Sequence, residues 1–583
     1  MPRLILFLLV VMLAVSRPML AQAPQPPVKN SGQPVSPPPG PENPSSRQGE
    51  TLQLAAVVER IVARENQLLK NLRNYSPRIE TYIQNFRPDP ELGSVPTDDR
   101  YFLGRLDFQR GIVVRSFLPQ PSLPRRIVDA FTGPVTSFYS MHYQQRSFAH
   151  TIVMDTSRFD RQHYDFQFVR REFLGEIRCL VFDVAPQKHA GTDLFKGRIW
   201  AEDQDYNIVR FNGTYAPAPK FSTDFHFDTW RENLQPGLWL PVYAYSEEVD
   251  LEFGAKRALR FKSQTRLWGY QVSNPTHQRQ LTRVLADASP PVRDNGDDAQ
   301  DPSPVSRVRE WEDQAEANVL ERLQKAGLIA PAGDEVDKVL ETVLNNLVLS
   351  NHLENLPAVH GRVLLTSPLE SLFVGNTIVI SRGLIDVLPD ESSLAMVLSH
   401  ELAHVALGHN LTPRSTQYAF HDRLLVADEE LLRHLDLRPT QQEEAAADAK
   451  AMELLKNSPY KDKLDKAGLF LRAMAATAPR TPQLFGAHLG TRLAQGEHVR
   501  HMAELMSSAP ELVPRRVEQI AALPLGARIK VDSWSDRIRL VKSKPVTLLS
   551  AREKMPFEVT PLFPYLIRFK GTPQNVREET LAQ

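Results

Sequence analysis

Pro389-Asp390-Glu391-Ser392-Ser393-Leu394-Ala395-Met396-Val397-Leu398-Ser399-His400-Glu401-Leu402-Ala403-His404 is the stretch on which the reading of this chain turns. Asp390 follows a proline and is a good N-cap, and no proline interrupts the run from Glu391 to His409. Leu394, Val397, Leu398, Leu402 and Val405 recur at helical spacing, and Gly408 stands where such a helix would end. The pattern predicts a helix carrying H-E-x-x-H. Residues four apart lie one above the other on a helix, so His400 and His404 present two imidazoles to one metal ion. Glu401 lies one step round and suits a general base that takes a proton from water.

A catalytic zinc site usually takes three protein ligands. The version with a nearby third histidine fails, because Leu407 and Asn410 stand where a glycine and a histidine are needed. A second helix offers the alternative. Thr440-Gln441-Gln442-Glu443 after Pro439 is a capping box, and it opens the run Glu444-Ala445-Ala446-Ala447-Asp448. Glu444 and Asp448 are again four apart. With Glu443 engaged in the cap, Glu444 is the better ligand, and Asp448 suits a carboxylate that orients a ligand histidine. The three alanines suit a helix that packs closely on its neighbour.

His400 to His409 and Glu444 to Asp448, with Ile378 to Ile385 before them, resemble the gluzincin peptidases that include the CAAX prenyl protease, HtpX and BepA. The resemblance spans about residues 335 to 510. It implies one zinc per chain held by His400, His404 and Glu444, with Glu401 as catalytic base and Asp448 behind a ligand. It also implies an edge strand near Ser371 to Gly375 that pairs with extended substrate. Two departures stand out. Where the family shows N-A-F-A-x-P, this chain reads Ser371-Leu372-Phe373-Val374-Gly375-Asn376. The late H-P-x-x-x-x-R motif, whose histidine and arginine stabilise the oxyanion, is reduced to His488-Leu489-Gly490-Thr491-Arg492, with Arg500 as a rival arginine.

At 583 residues the chain is long enough for two to four domains, and 42% hydrophobic with 24% charged residues is a globular composition. Sixty-nine basic residues balance 69 acidic ones, which argues against a nucleic-acid partner. A single cysteine, Cys179, excludes an intrachain disulfide and a cysteine metal cluster. It sits in an apolar run and reads as a core residue.

Residues 1–23 read as a secretory signal, with Arg3, the apolar run Leu4 to Val15 and an A-x-A site at Ala21 to Ala23. Residues 24–48 read as a Pro-rich disordered spacer. A helix is expected over about 50 to 73, then long antiparallel strands to residue 272. Lys196 to Trp200 with Ile208 to Phe211 resembles the half-barrel of outer-membrane lipoprotein carriers, which implies a face able to take a lipid or hydrophobic peptide. Residues 273–308 read as a linker, with helices around 307–326 and 335–350 after it. The interval 411–439 is too charged to enter a bilayer. Beyond about Ser508 the tail returns to strands, with a hairpin around Ser533 to Asp536.

These readings combine into an α+β multidomain chain. An antiparallel β-sheet N-terminal domain occupies 49–272, a mainly helical zinc metallopeptidase domain 309–512 and a small C-terminal β module 513–583. The function expected is an exported, periplasmic or secreted zinc metalloendopeptidase acting on protein or peptide substrates of the envelope, with no transmembrane domain after signal removal. The rival is a non-catalytic binding or assembly factor with a structural or vestigial metal site and envelope assembly partners. Glu401 discriminates, since a structural site has no use for a base beside its first histidine.

Overall fold

The computed structural model describes residues 44–89, 93–109, 111–118, 145–155, 159–191, 194–216, 225–249, 259–271, 316–409, 432, 435, 437–486, 488–495, 498–499, 502–513, 516, 519, 522–526, 528–541 and 557–570. The signal-like segment, the linker 273–308 and most of the interval 411–439 lie outside the described residues. Two compact units divide the chain: Met1–Gln53, of which the helix start from Pro44 is described, and Leu54–Gln583.

Helix α1 runs Pro44–Leu72. It starts earlier than its apolar stripe announces, and proline is at home in a first helical turn. Ten antiparallel-paired strands follow: β1 (Arg78–Asp89), β2 (Gly93–Asp107), β3 (Val113–Ser116), β4 (Tyr164–Leu174), β5 (Ile177–Pro186), β6 (Leu194–Glu202), β7 (Ile208–Ala216), β8 (Phe225–Gln235), β9 (Leu238–Val249) and β10 (Leu259–Trp268). They form one sheet in the order β3-β2-β1-β10-β9-β8-β7-β6-β5-β4. The expected antiparallel sheet is therefore present. Pro241 inside β9 has no N–H to give to the ladder, and the register against β8 shifts where Arg231 meets it.

Alternation along these strands sorts the side chains. Leu180, Phe182, Ile199, Phe211 and Phe227 cluster with Val58, Ile61 and Val62 of α1. In the same helix Glu65 is fully buried and takes the Arg231 guanidinium of β8 in two bonds of 2.5 and 2.7 Å. The helix thus covers one face of β5–β8, which leaves that face filled by the chain itself. Cys179 is buried in the main core, and burial pushes its thiol up to about 12.

After the large sheet the described chain resumes with helices α2 (316–325) and α3 (Glu335–Ser350). Strands β11 (His360–Leu364), β12 (Glu370–Val374) and β13 (Thr377–Ser381) follow, then helices α4 (Arg382–Val387), α5 (Glu391–Ala406), α6 (Gln441–Lys456) and α7 (Leu464–Thr477). Strand β14 (Thr491–Arg492) completes a small sheet ordered β11-β13-β12-β14. The hairpin expected near the C-terminus is β15 (Ile529–Val531) with β16 (Ile538–Leu540).

Buried carboxylates tie these parts together. Glu80 of β1 accepts from the N–H and hydroxyl of Ser367 at 2.6 and 2.8 Å, and from Arg382 at 2.7 Å. Glu80 and Arg382 are each 1% exposed, so the pair is sealed from water. Asp99 of β2 accepts from the backbone of Gln483 and Leu484, and Asp386 of α4 from Gly526, Arg528 and Ile529. Among the described residues no helix is long and apolar enough to cross a membrane.

The substrate edge expected near Ser371 to Gly375 is covered only at its start. Strand β14 pairs with the outer side of β12, setting Arg492 opposite Glu370 and Thr491 opposite Ser371. Only the later residues of β12 lie beyond that pairing. The cause is distant in sequence: Glu370 accepts from the N–H groups of His488, Leu489 and Gly490 and so draws the incoming strand onto this edge.

Candidate active site

Helix α5 is capped by Asp390, whose carboxylate accepts from Ser393 N–H at 2.9 Å. Buried residues run along it from Ser392 to Val405, which is why its two histidines are 3% and 0% exposed. Gly408 takes a left-handed backbone (φ 68°) and turns the chain back, so that His409 N–H reaches the carbonyl of His404. Helix α6 begins with the expected capping box. Thr440 Oγ1 accepts from Glu443 N–H, and the Glu443 carboxylate accepts from Thr440 N–H at 2.7 Å. Burial opposes its charge, but the bonds to Thr440 outweigh it and hold Glu443 below the usual carboxylate range.

With Glu443 turned to the cap, the next residue faces α5. Glu444 Oε2 lies 3.2 Å from His400 Nε2 and 3.7 Å from His404 Nε2, and the two Nε2 atoms are 3.3 Å apart. Donors about 2.0–2.1 Å from a tetrahedral zinc ion sit about 3.3–3.4 Å from one another. The three atoms therefore already have the spacing of three corners of a zinc tetrahedron. Electrostatics agree with the fit. Burial works against a charged His400, yet its bonds to Asp448 and Glu444 and the charge of Glu401 outweigh that and raise it to about 10. Such surroundings favour a cation at Nε2.

Each histidine is also oriented from behind. His400 Nδ1 meets Asp448 Oδ1 at 2.9 Å, one helical turn beyond Glu444. A carboxylate at this contact distance favours the Nδ1–H tautomer, which leaves the Nε2 lone pair for a metal. His404 Nδ1 meets His409 Nδ1 at 2.9 Å, and its ring stacks on Phe373 with centroids 4.7 Å apart. Burial and the neighbouring His404 hold His409 below its ordinary value, which suits a neutral acceptor for a His404 Nδ1–H. Glu401 is 1% exposed, and Ser371 Oγ donates to its Oε1 at 2.6 Å.

Other expected residues fall elsewhere or lack a side-chain description. The His488 ring stacks on Tyr101 of β2 at 5.0 Å. Arg492 lies in β14 opposite Glu370, and Arg500 is outside the described residues. Of the three alanines only Ala447 is buried, while Ala445 and Ala446 are exposed, so the close packing comes from Ala447 and Ala451. Ser371 and His409 were absent from the expected site. Gly408 was a local signal for His409, because a left-handed residue after a helix folds the next one back. Ser371 had none, since 30 positions separate it from Glu401.

The Asp448 bond makes a measurable difference. Asp448→Asn is expected to weaken zinc binding by ~10–100-fold, the usual scale for a partner of a ligand histidine, without unfolding the chain. Glu443→Gln, next to Glu444 but turned to the helix cap, should leave affinity nearly unchanged. Zinc titration of both variants against a chelator decides it. The reverse order of effects would put the helix register wrong by one residue.

No curated protein matches the chain in sequence. Among solved structures, a DUF1329 family protein from Desulfovibrio piger ATCC 29098 is similar at 12% identity, over 36% of this chain and 90% of that one, with a TM-score of 0.18. The profile of peptidase family M48 matches residues 369–523, an interval that holds β12, α5 and α6 with His400, Glu401, His404 and Glu444. The segment that builds this site is thus similar to peptidase family M48.

Proposed function

We propose that the protein is a zinc metalloendopeptidase, exported from the cytoplasm, that cleaves misfolded or misassembled proteins of the cell envelope. The convergence of His400 Nε2, His404 Nε2 and Glu444 Oε2 at tetrahedral spacing, with Glu401 next in line, carries this reading. His400, His404 and Glu444 would hold the ion, and when bound it supplies a Lewis acid that polarises a carbonyl and acidifies water. Asp448 and His409 keep the two imidazoles in the tautomer that offers Nε2. Glu401 takes the proton of the attacking water and delivers it to the leaving amine. His400, Glu401 and His404 are buried, which keeps them out of competition with bulk water.

Export rests on residues 1–23 alone. The rival binding-factor reading has less support, because Glu401 is buried beside its ligands with a donor trained on it. One preparation tests the proposal. Protein recovered from outside the cytoplasm should begin near Gln22 or Pro24 by mass spectrometry and should cleave denatured casein. Chelation should abolish cleavage and added zinc should restore it. Cleavage indifferent to chelation would refute the metal chemistry, and a chain starting at Met1 in the membrane fraction would favour an uncleaved N-terminal anchor over a cleaved signal.

A further inference from the structure

Ser371 lies in β12, a strand tied on both sides: Ser371 is paired with Ile380 of β13 and with Thr491 of β14. Gly490 presses against it so closely that a Cβ there would sit 2.3 Å from the Ser371 carbonyl oxygen. Its neighbour Glu370 clamps the backbone of residues 488 to 490. Ser371 is fully buried, so its hydroxyl is carried by a rigid frame and cannot turn to water. That hydroxyl donates to Oε1 of Glu401 at 2.6 Å. Among the described residues no other side chain hydrogen-bonds the Glu401 carboxylate.

We propose that Ser371 is the positioning residue for the catalytic base, holding one oxygen of Glu401 so that the other faces the substrate water. The proposal rests on the peptidase reading above. The terminal torsion of a glutamate is broad and two-fold, so the side chain alone does not choose which oxygen points where. A donor on a rigid strand makes that choice. The hydroxyl takes no part in bond making and leaves the proton route to Glu401 Oε2. The closing pair β12–β14 then has a use beyond covering an edge: it fixes the strand from which the base is aimed.

The test uses the full zinc-loaded chain with denatured casein or a peptide cut from it. Ser371→Ala should lower kcat by ~10–100-fold, the scale of a misplaced catalytic group, with KM within about twofold. Zinc content and melting temperature should stay near wild type. Ser371→Thr, which keeps the hydroxyl, should restore most of the rate. In a Glu401→Gln background the same Ser371→Ala change should have almost no further effect, because its route runs through the carboxylate. An equal loss in both backgrounds would make Ser371 merely structural. An unchanged kcat in Ser371→Ala, with wild type active, would overturn this proposal alone. A zinc-loaded wild type that cleaves nothing would overturn the peptidase reading and this one with it.

Discussion

Glu401→Gln is expected to keep its zinc and its fold while losing peptide cleavage by ~10²–10⁴-fold, the contribution of a general base. The substitution preserves size, so the buried helix α5 needs no repacking around a side chain that is 1% exposed. A glutamine oxygen can still accept from Ser371 Oγ, which keeps the side chain aimed. His400, His404 and Glu444 are untouched, and Asp448 still orients His400. What disappears is the ability to accept a proton. Metal analysis and thermal melting should therefore match wild type, and only turnover should collapse. Undiminished cleavage would mean that another group serves as base, and loss of zinc would mean that Glu401 acts through the ligands.

The second large effect lies away from the reacting atoms. Glu80→Ala should destabilise the chain by about 3–5 kcal/mol, because it strands a buried guanidinium. Arg382 is 1% exposed and its Nη2 donates to Glu80 at 2.7 Å and to Ser367 Oγ at 3.0 Å. Ser367 N–H loses its acceptor in the same step. This figure is the penalty of breaking the pair, since taking two charges out of water offsets much of their attraction in the intact protein. Arg64→Ala is the natural control. Its partner Asp205 and Arg64 itself are 44% and 46% exposed, and such a pair is worth at most about 1 kcal/mol. Chemical denaturation of the two variants should separate them widely. Equal midpoints would show that water reaches Arg382.

Glu80 also sits behind the site. Ser367 and Arg382 flank β12 and β13, and Tyr101, which donates to Glu80 at 2.9 Å, stacks on His488. The Glu80→Ala chain should therefore show its weakness first around β12.

The local geometry of the site was legible in the sequence. Asp390 before Glu391, Thr440 with Glu443, and the two pairs four residues apart are short-range patterns. Hydrogen bonds within one helical turn decide them, and the helices α5 and α6 carry them as read. The alternating strands from Arg78 to Trp268 and the hairpin after Leu525 were legible for the same reason, since a period of two needs only neighbouring residues.

Other features depend on residues far apart, and no local pattern announces them. Strand β14 covers the start of the β12 edge because Glu370 holds a turn about 120 positions later. Glu80 resembles any strand carboxylate until folding brings Arg382 across 302 positions to meet it. Ser371 reads as an unremarkable strand residue, and only packing places its hydroxyl against Glu401. The physical reason is common to all three. A buried polar group must find its partner wherever the fold delivers one. The sequence therefore determined which side chains share a helical face, and the tertiary structure decided which of them meet and how they are aimed.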